Sequence, residues 1–290
     1  MIIQSVSIVV PATNCINKCK FCVARTNHDN SVDNFITYNN MYFSLYYKQY
    51  KDRLEYGRDN GCNSIILTGD CEPQQNKQFL MLFGIMNDSL SKPYRHIEMQ
   101  TTGTLIDDDY LFFLRHTVGV TTMSLSISSL DRDKNNEIIA PAKTINAEYL
   151  SSRIKKYQFV LRVSINLSKH TFDTDNYEEI FNNIKEKYNA DQVTFRVLYD
   201  GGSDMPQDVW VRENRISDEF VEGLNKYIKD NGEFLGKLEF GADKYSIHGM
   251  TTVVDDDCMS TTGKEAIKFA IIYPNCRMYS RWGDFGSLIL

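Results

Sequence analysis

The chain has 290 residues, 42% of them hydrophobic and 24% charged, with a formal charge of −6. This is a globular composition with room for a sizeable core. It excludes a bilayer span, because no run of about 18 apolar residues occurs. The negative balance argues against a broad nucleic-acid surface, which needs basic residues to neutralise phosphates. The basic spot Arg153, Lys155 and Lys156 reads as the solvated face of a helix. Residues 1–14 have no basic start and no small-residue cleavage site, so they read as a strand, and the expected compartment is the cytoplasm. Seven cysteines in such a chain are thiols or metal ligands, not a disulfide framework.

In chain order, residues 6–10, 63–68, 96–101, 121–128, 159–166 and 192–198 read as strands. Between them, 41–56, 75–86, 107–115, 147–156 and 177–188 have helical spacing. Strands alternating with helices predict parallel βα units. The strands carry polar residues at alternate positions: Glu98, Gln100 and Thr102; Ser124, Ser126 and Ser128; Arg162, Ser164 and Asn166; Thr194 and Arg196. Alternation puts each set on one face, and a dry closed barrel cannot bury such a column cheaply. The expected fold is an α/β partial (β/α)6 TIM-like barrel with a wet interior. Residues 1–200 form this barrel. Residues 201–290 form a C-terminal extension of the same domain that covers the open side: a loop over 201–214, a helix over 218–229 and a strand–turn–strand tail over 266–290.

Three of the seven cysteines, Cys15, Cys19 and Cys22, fall within eight residues just after the first strand. Three thiolates on one loop can reach three irons of a cubane and leave the fourth iron open. The competing reading is a Cys3His zinc site with His28 as fourth donor.

The C-x3-C-x2-C run, with Phe21 before its last cysteine, resembles the radical S-adenosylmethionine (AdoMet) superfamily. So do Thr68-Gly69-Asp70-Cys71-Glu72-Pro73 after the second strand, similar to a glycine-glycine-glutamate motif, and Thr101-Thr102-Gly103-Thr104 after the third. Ser126-Ile127-Ser128 with Asp131 is similar to the fourth-strand ribose region. The resemblance spans residues 5 to 200 and implies an oxygen-sensitive enzyme that uses a [4Fe–4S] cluster held by Cys15, Cys19 and Cys22 to cleave AdoMet into a hydrogen-abstracting 5′-deoxyadenosyl radical. It implies Phe21 and Leu198 near adenine, and Gly69 with Asp70 or Glu72 at the methionine ammonium. Thr102, Ser126, Ser128 and Asn166 would line the cofactor site, with Arg162 at the carboxylate. The second-strand motif is one residue longer than usual, so either Asp70 or Glu72 fits the ammonium. The implied partners are a polar small molecule or a peptide as substrate and an electron donor such as flavodoxin or ferredoxin. An activase for a glycyl-radical enzyme and a non-catalytic zinc or iron–sulfur module are the alternatives.

Outside the motifs, Arg196 and Glu98 point into the barrel and are the expected substrate-facing residues, with a mutual or local salt bridge as the competing role. Cys71 is either a hydrogen donor to substrate or a small packing residue. Cys62, Cys258 and Cys276 are too widely spaced to suggest a second cluster. Asp255, Asp256 and Asp257 read as a solvated loop. Tyr42, Phe43, Tyr46, Tyr47 and Tyr50 read as core packing.

Overall fold

A computed structural model describes residues 2–12, 14–25, 45–238, 242–256 and 266–290. Tyr42, Phe43, His28, Asp257 and Cys258 lie outside these residues. The six expected strands are present as β1 (Ile2–Val9), β2 (Ser64–Thr68), β3 (His96–Thr101), β4 (Thr122–Ile127), β5 (Val160–Leu167) and β6 (Gln192–Val197). Each pairs in parallel with the next. The helices between them are α1 (Tyr47–Asp59), α2 (Lys77–Asp88), α3 (Asp108–Phe113), α4 (Arg132–Ile139), α5 (Ala147–Lys156) and α6 (Tyr177–Tyr188). Several begin on short polar caps whose side chains accept an orphan amide: Asn76 from Phe79, Asp131 from Lys134 and Asn146 from Tyr149, at 2.8–3.0 Å. Apolar spacing fixes their inner faces. On α6, Ile180, Phe181, Ile184 and Tyr188 are buried, and on α1 Tyr50 and Leu54 are.

The C-terminal region departs from expectation. Residues 201–214, expected as loop, contain helix α7 (Pro206–Asn214), started by a proline in its first turn. After α8 (Asp218–Asn231) the chain forms β7 (Glu233–Lys237), β8 (Asp243–Ile247) and β9 (Met250–Asp255), then β10 (Ala266–Ile272) and β11 (Met278–Tyr279). These strands extend both flanks of one eleven-stranded sheet. Strand β9 adds in parallel to β6, and β10 in parallel to β1. The parallel run therefore reaches eight strands. It does not close, because the outer edge of β9 is taken by antiparallel β8 and that of β10 by antiparallel β11. The gap is crossed by an ion pair, Lys268 Nζ to Asp255 Oδ1 at 3.1 Å. Asp255 thus belongs to a strand end and a salt bridge, not to the solvated loop expected of it.

Apolar strand residues such as Ile65, Leu67, Met99, Leu125 and Val163 join the helices in the main core, while the polar alternates face the concave side. Backbone packs closely against backbone where α2 crosses the chain after α3. A Cβ on Gly84 would stand 2.4 Å from the Thr117 carbonyl oxygen and 3.0 Å from Val118 Cα, both backbone atoms. Gly84→Ala is expected to lower the unfolding free energy by about 1–3 kcal/mol through overpacking. Urea denaturation checks this, and an unchanged midpoint would contradict the packing described.

Candidate active site

Three loops meet at the C-terminal ends of β1, β2 and β3. The first carries Cys15, Cys19 and Cys22 as partly buried free thiols. The Cys22 amide donates to the Cys19 carbonyl at 3.3 Å and the Arg25 amide to the Cys22 carbonyl at 3.0 Å, so the last two thiols sit on a tight turn. One side of the loop is stitched to the end of α4: Lys18 N donates to the Ala140 carbonyl and Lys20 N to that of Ile138, both at 3.0 Å. The other side meets Gln75, whose Oε1 accepts from Ile16 N at 3.1 Å and whose Nε2 donates to the Asn14 carbonyl at 2.7 Å.

Asn17, 1% exposed, is the centre of this clamp. Its Nδ2 donates to Glu72 Oε1 at 3.0 Å and to Thr102 Oγ1 at 2.9 Å, and its Oδ1 accepts from Thr104 Oγ1 at 2.9 Å. Glu72 also accepts the Thr102 amide at 3.0 Å and Thr101 Oγ1 at 2.7 Å. Burial pushes the Glu72 pKa up, and the hydrogen bonds from Thr101, Thr102 and Asn17 oppose that shift. Glu72 is thereby committed to tying the cysteine loop to β2 and β3. Asp70, two residues earlier, lines the cavity instead. Gly69 allows this turn to pass close to the end of β1: a Cβ there would lie 3.1 Å from the Val10 carbonyl oxygen. Cys71 donates its thiol toward the Ala12 carbonyl at 3.7 Å. Burial first, then the neighbouring Cys15, pushes its pKa up to about 12. Burial likewise raises the Cys19 and Cys22 thiols.

The concave face encloses a cavity of ≈ 1290 Å³. Gly69 and Asp70 stand at the cysteine end, and Glu98, Arg162, Thr194 and Arg196 lie along the wall. Arg162 is ion-paired with Glu98, and its Nε donates to Gln192 Oε1 at 2.8 Å. This cluster lies five residues short of Leu167, the last residue of β5, well below the cysteine loop. The pairing occupies Arg162, expected at the cofactor carboxylate, and Glu98, expected to face substrate. Nearer the strand ends, Asn166 Nδ2 lies 3.5 Å from Ser128 Oγ, and the Ser128 amide donates to Asn135 Oδ1 of α4 at 2.8 Å. Ser126 is partly exposed on the same face of β4, and Leu198 is buried just past β6.

Three residues of this region escape a sequence reading. Asn17 is marked only by its place inside the cysteine triplet. Trp210 of α7, in the stretch expected as loop, brings its ring 6.1 Å from that of Phe21. Lys268 arrives from β10, far along the chain. Among the described residues no three His, Cys, Asp or Glu side chains converge to hold a single metal ion. Cys62 and Cys276 are buried thiols away from the loop.

The sequence model of the Radical SAM superfamily matches residues 9–182, more than half of the chain. The chain belongs to that superfamily. It is a radical AdoMet enzyme, of a family that uses a [4Fe–4S] cluster and AdoMet. Among solved structures it resembles "Native anSMEcpe with bound AdoMet" at 18% identity and TM-score 0.56, over 97% of this chain and 75% of that one. It also resembles "Native anSMEcpe with bound AdoMet and Cp18Cys peptide" at 17% identity and TM-score 0.55, over 98% and 75%. At these identities the likeness is one of fold. No curated protein matches. No described helix is long and apolar enough to cross a membrane.

Glu72→Ala would leave buried donors of Asn17, Thr101 and Thr102 without their acceptor, at about 1–3 kcal/mol for each. The expected outcome is a lower melting temperature of the cluster-free protein and poorer iron retention after anaerobic reconstitution. Melting and iron content unchanged from wild type would show that the clamp does not hold the loop.

Proposed function

We propose that Cys15, Cys19 and Cys22 hold the [4Fe–4S] cluster at the mouth of the polar cavity, and that the enzyme acts on a polar small molecule or a peptide side chain within it. The observation that carries this is the cysteine loop itself, clamped through Asn17 at the strand ends beside the cavity. The donor set fits an iron–sulfur cluster: soft thiols, with no carboxylate on the loop between them. Held by Cys15, Cys19 and Cys22, the cluster would supply the one-electron reduction of AdoMet on which radical hydrogen abstraction from the substrate depends.

The remaining work falls to side chains. Asp70 receives the methionine ammonium, because it lines the cavity. Gly69 supplies room beside it. Phe21, steadied by Trp210, stands by the adenine together with Leu198, and Ser126, Ser128 and Asn166 receive the ribose. Thr102 serves the cofactor site indirectly, since its amide and hydroxyl are both bound within the clamp. Arg196 faces the substrate. Cys71 packs against the loop at its high pKa, which leaves it a protonated thiol. Electrons come from a flavodoxin or ferredoxin, and the compartment is the cytoplasm.

Anaerobic reconstitution tests the assignment. Wild type should take up about four irons per chain and turn brown, and replacing any one of the three cysteines by alanine should abolish both. A colourless zinc protein would overturn it. Asp70→Asn should keep the iron but weaken AdoMet binding by about tenfold or more, for loss of a charge-assisted bond. Equilibrium dialysis reads this, and a tighter loss in Glu72→Gln at full iron loading would return the role to Glu72.

A further inference from the structure

The upper wall of the cavity carries an arrangement that cofactor binding does not absorb. Arg196 stands on β6 in register with Asn166 of β5 on one side and Asp255 of β9 on the other. Its Nε is buried and hydrogen-bonds to no described residue. Asp255, its neighbour, reaches across the gap in the sheet to Lys268 of β10 at 3.1 Å, and both side chains are largely buried, 19% and 14% exposed. Arg196, Asp255 and Lys268 all line the same cavity. Cations from opposite flanks of the sheet therefore stand on either side of Asp255, Arg196 as its register neighbour and Lys268 as its ion-pair partner. A guanidinium with a buried, unpaired Nε is under-satisfied, and planar oxyanions are what its fork matches.

We infer that Arg196 and Lys268 bind an anionic group of the substrate, a carboxylate or a phosphate oxyanion, in the seat that Asp255 partly fills in its absence. The inference rests on the radical-enzyme reading and narrows its substrate to oxyanion-bearing molecules. The geometry explains why a chain with net negative charge keeps cations at this depth. Lys268 is held in place by Asp255, and the incoming anion gains a partly desolvated pair of donors, where charge-assisted bonds are strongest. Sequence spacing gives no sign of this pairing, because 71 positions separate Arg196 from Lys268 and only the addition of β10 beside β1 brings them to one cavity.

The test uses anaerobically reconstituted full-length protein and three ligands in equilibrium dialysis: inorganic phosphate, succinate and AdoMet. Wild type should bind at least one of the two anions saturably; preference for phosphate points to a phosphate ester and preference for succinate to a carboxylate. Arg196→Gln and Lys268→Gln should each weaken that binding by about tenfold or more. Asp255→Asn should strengthen it by about threefold by removing the competing carboxylate. AdoMet affinity should stay within about twofold throughout. Should Arg196→Gln fold poorly, Arg196→Lys keeps the charge without the fork and should show an intermediate loss. The inference is overturned if neither anion saturates, if both glutamine variants bind as wild type does, or if Arg196→Gln instead loses AdoMet, which would assign Arg196 to the cofactor carboxylate. Protein that holds its cluster and AdoMet but ignores both anions sinks this inference alone; protein that takes up no iron sinks the reading beneath it.

Discussion

One buried carboxylate sets the geometry of the site. Glu72 sits out of water between the cysteine loop and the end of β3, and an uncompensated charge there would cost several kcal/mol. Its compensation comes from two other places in the chain: the Asn17 amide, and the Thr101 hydroxyl with the adjoining Thr102 backbone. None of these donors can be satisfied unless the loops after β1, β2 and β3 arrive together. The need to pair one charge therefore fixes three loops at once, and the thiols inherit their position from it.

The same two-sidedness runs through the sheet. Outward residues of each strand are apolar and join the helices, while inward ones are polar and must find partners within a cavity. Low on the wall they find one another, as Arg162 does with Glu98 and Gln192. Elsewhere they are left more sparsely paired, as with Ser124 beside the Arg162 cluster and Arg196 nearer the strand ends.

The alternation of polar and apolar residues made the strands and their inner face legible from sequence, and α5 and α6 begin and end where their spacing places them. Local rules suffice there, because burial periodicity and Asn caps agree. Helix α7 was hidden because Gly201 and Gly202 suggest a loop. What organises it is Asp208, a fully buried carboxylate that accepts the amides of Gly201 at 2.9 Å and Ser203 at 3.1 Å, a contact invisible to periodicity. Spacing alone leaves Asp70 and Glu72 equivalent, because the bond between Glu72 and Asn17 joins two loops 55 residues apart. The placement of β9 and β10 on opposite flanks is likewise a property of the whole sheet, and Asp255 changes from apparent loop residue to strand end only through it.

The unclosed seam has a mechanical meaning. In a sealed eight-stranded cylinder every strand is welded to its neighbours by a ladder of backbone bonds, and the girth is fixed. Here, among the described residues, β9 and β10 meet through the side chains of Asp255 and Lys268. A single side-chain ion pair is a far weaker fastening than a ladder of backbone hydrogen bonds. The circumference can therefore yield at one line without loss of sheet hydrogen bonds, like a cuff fastened with a single stud.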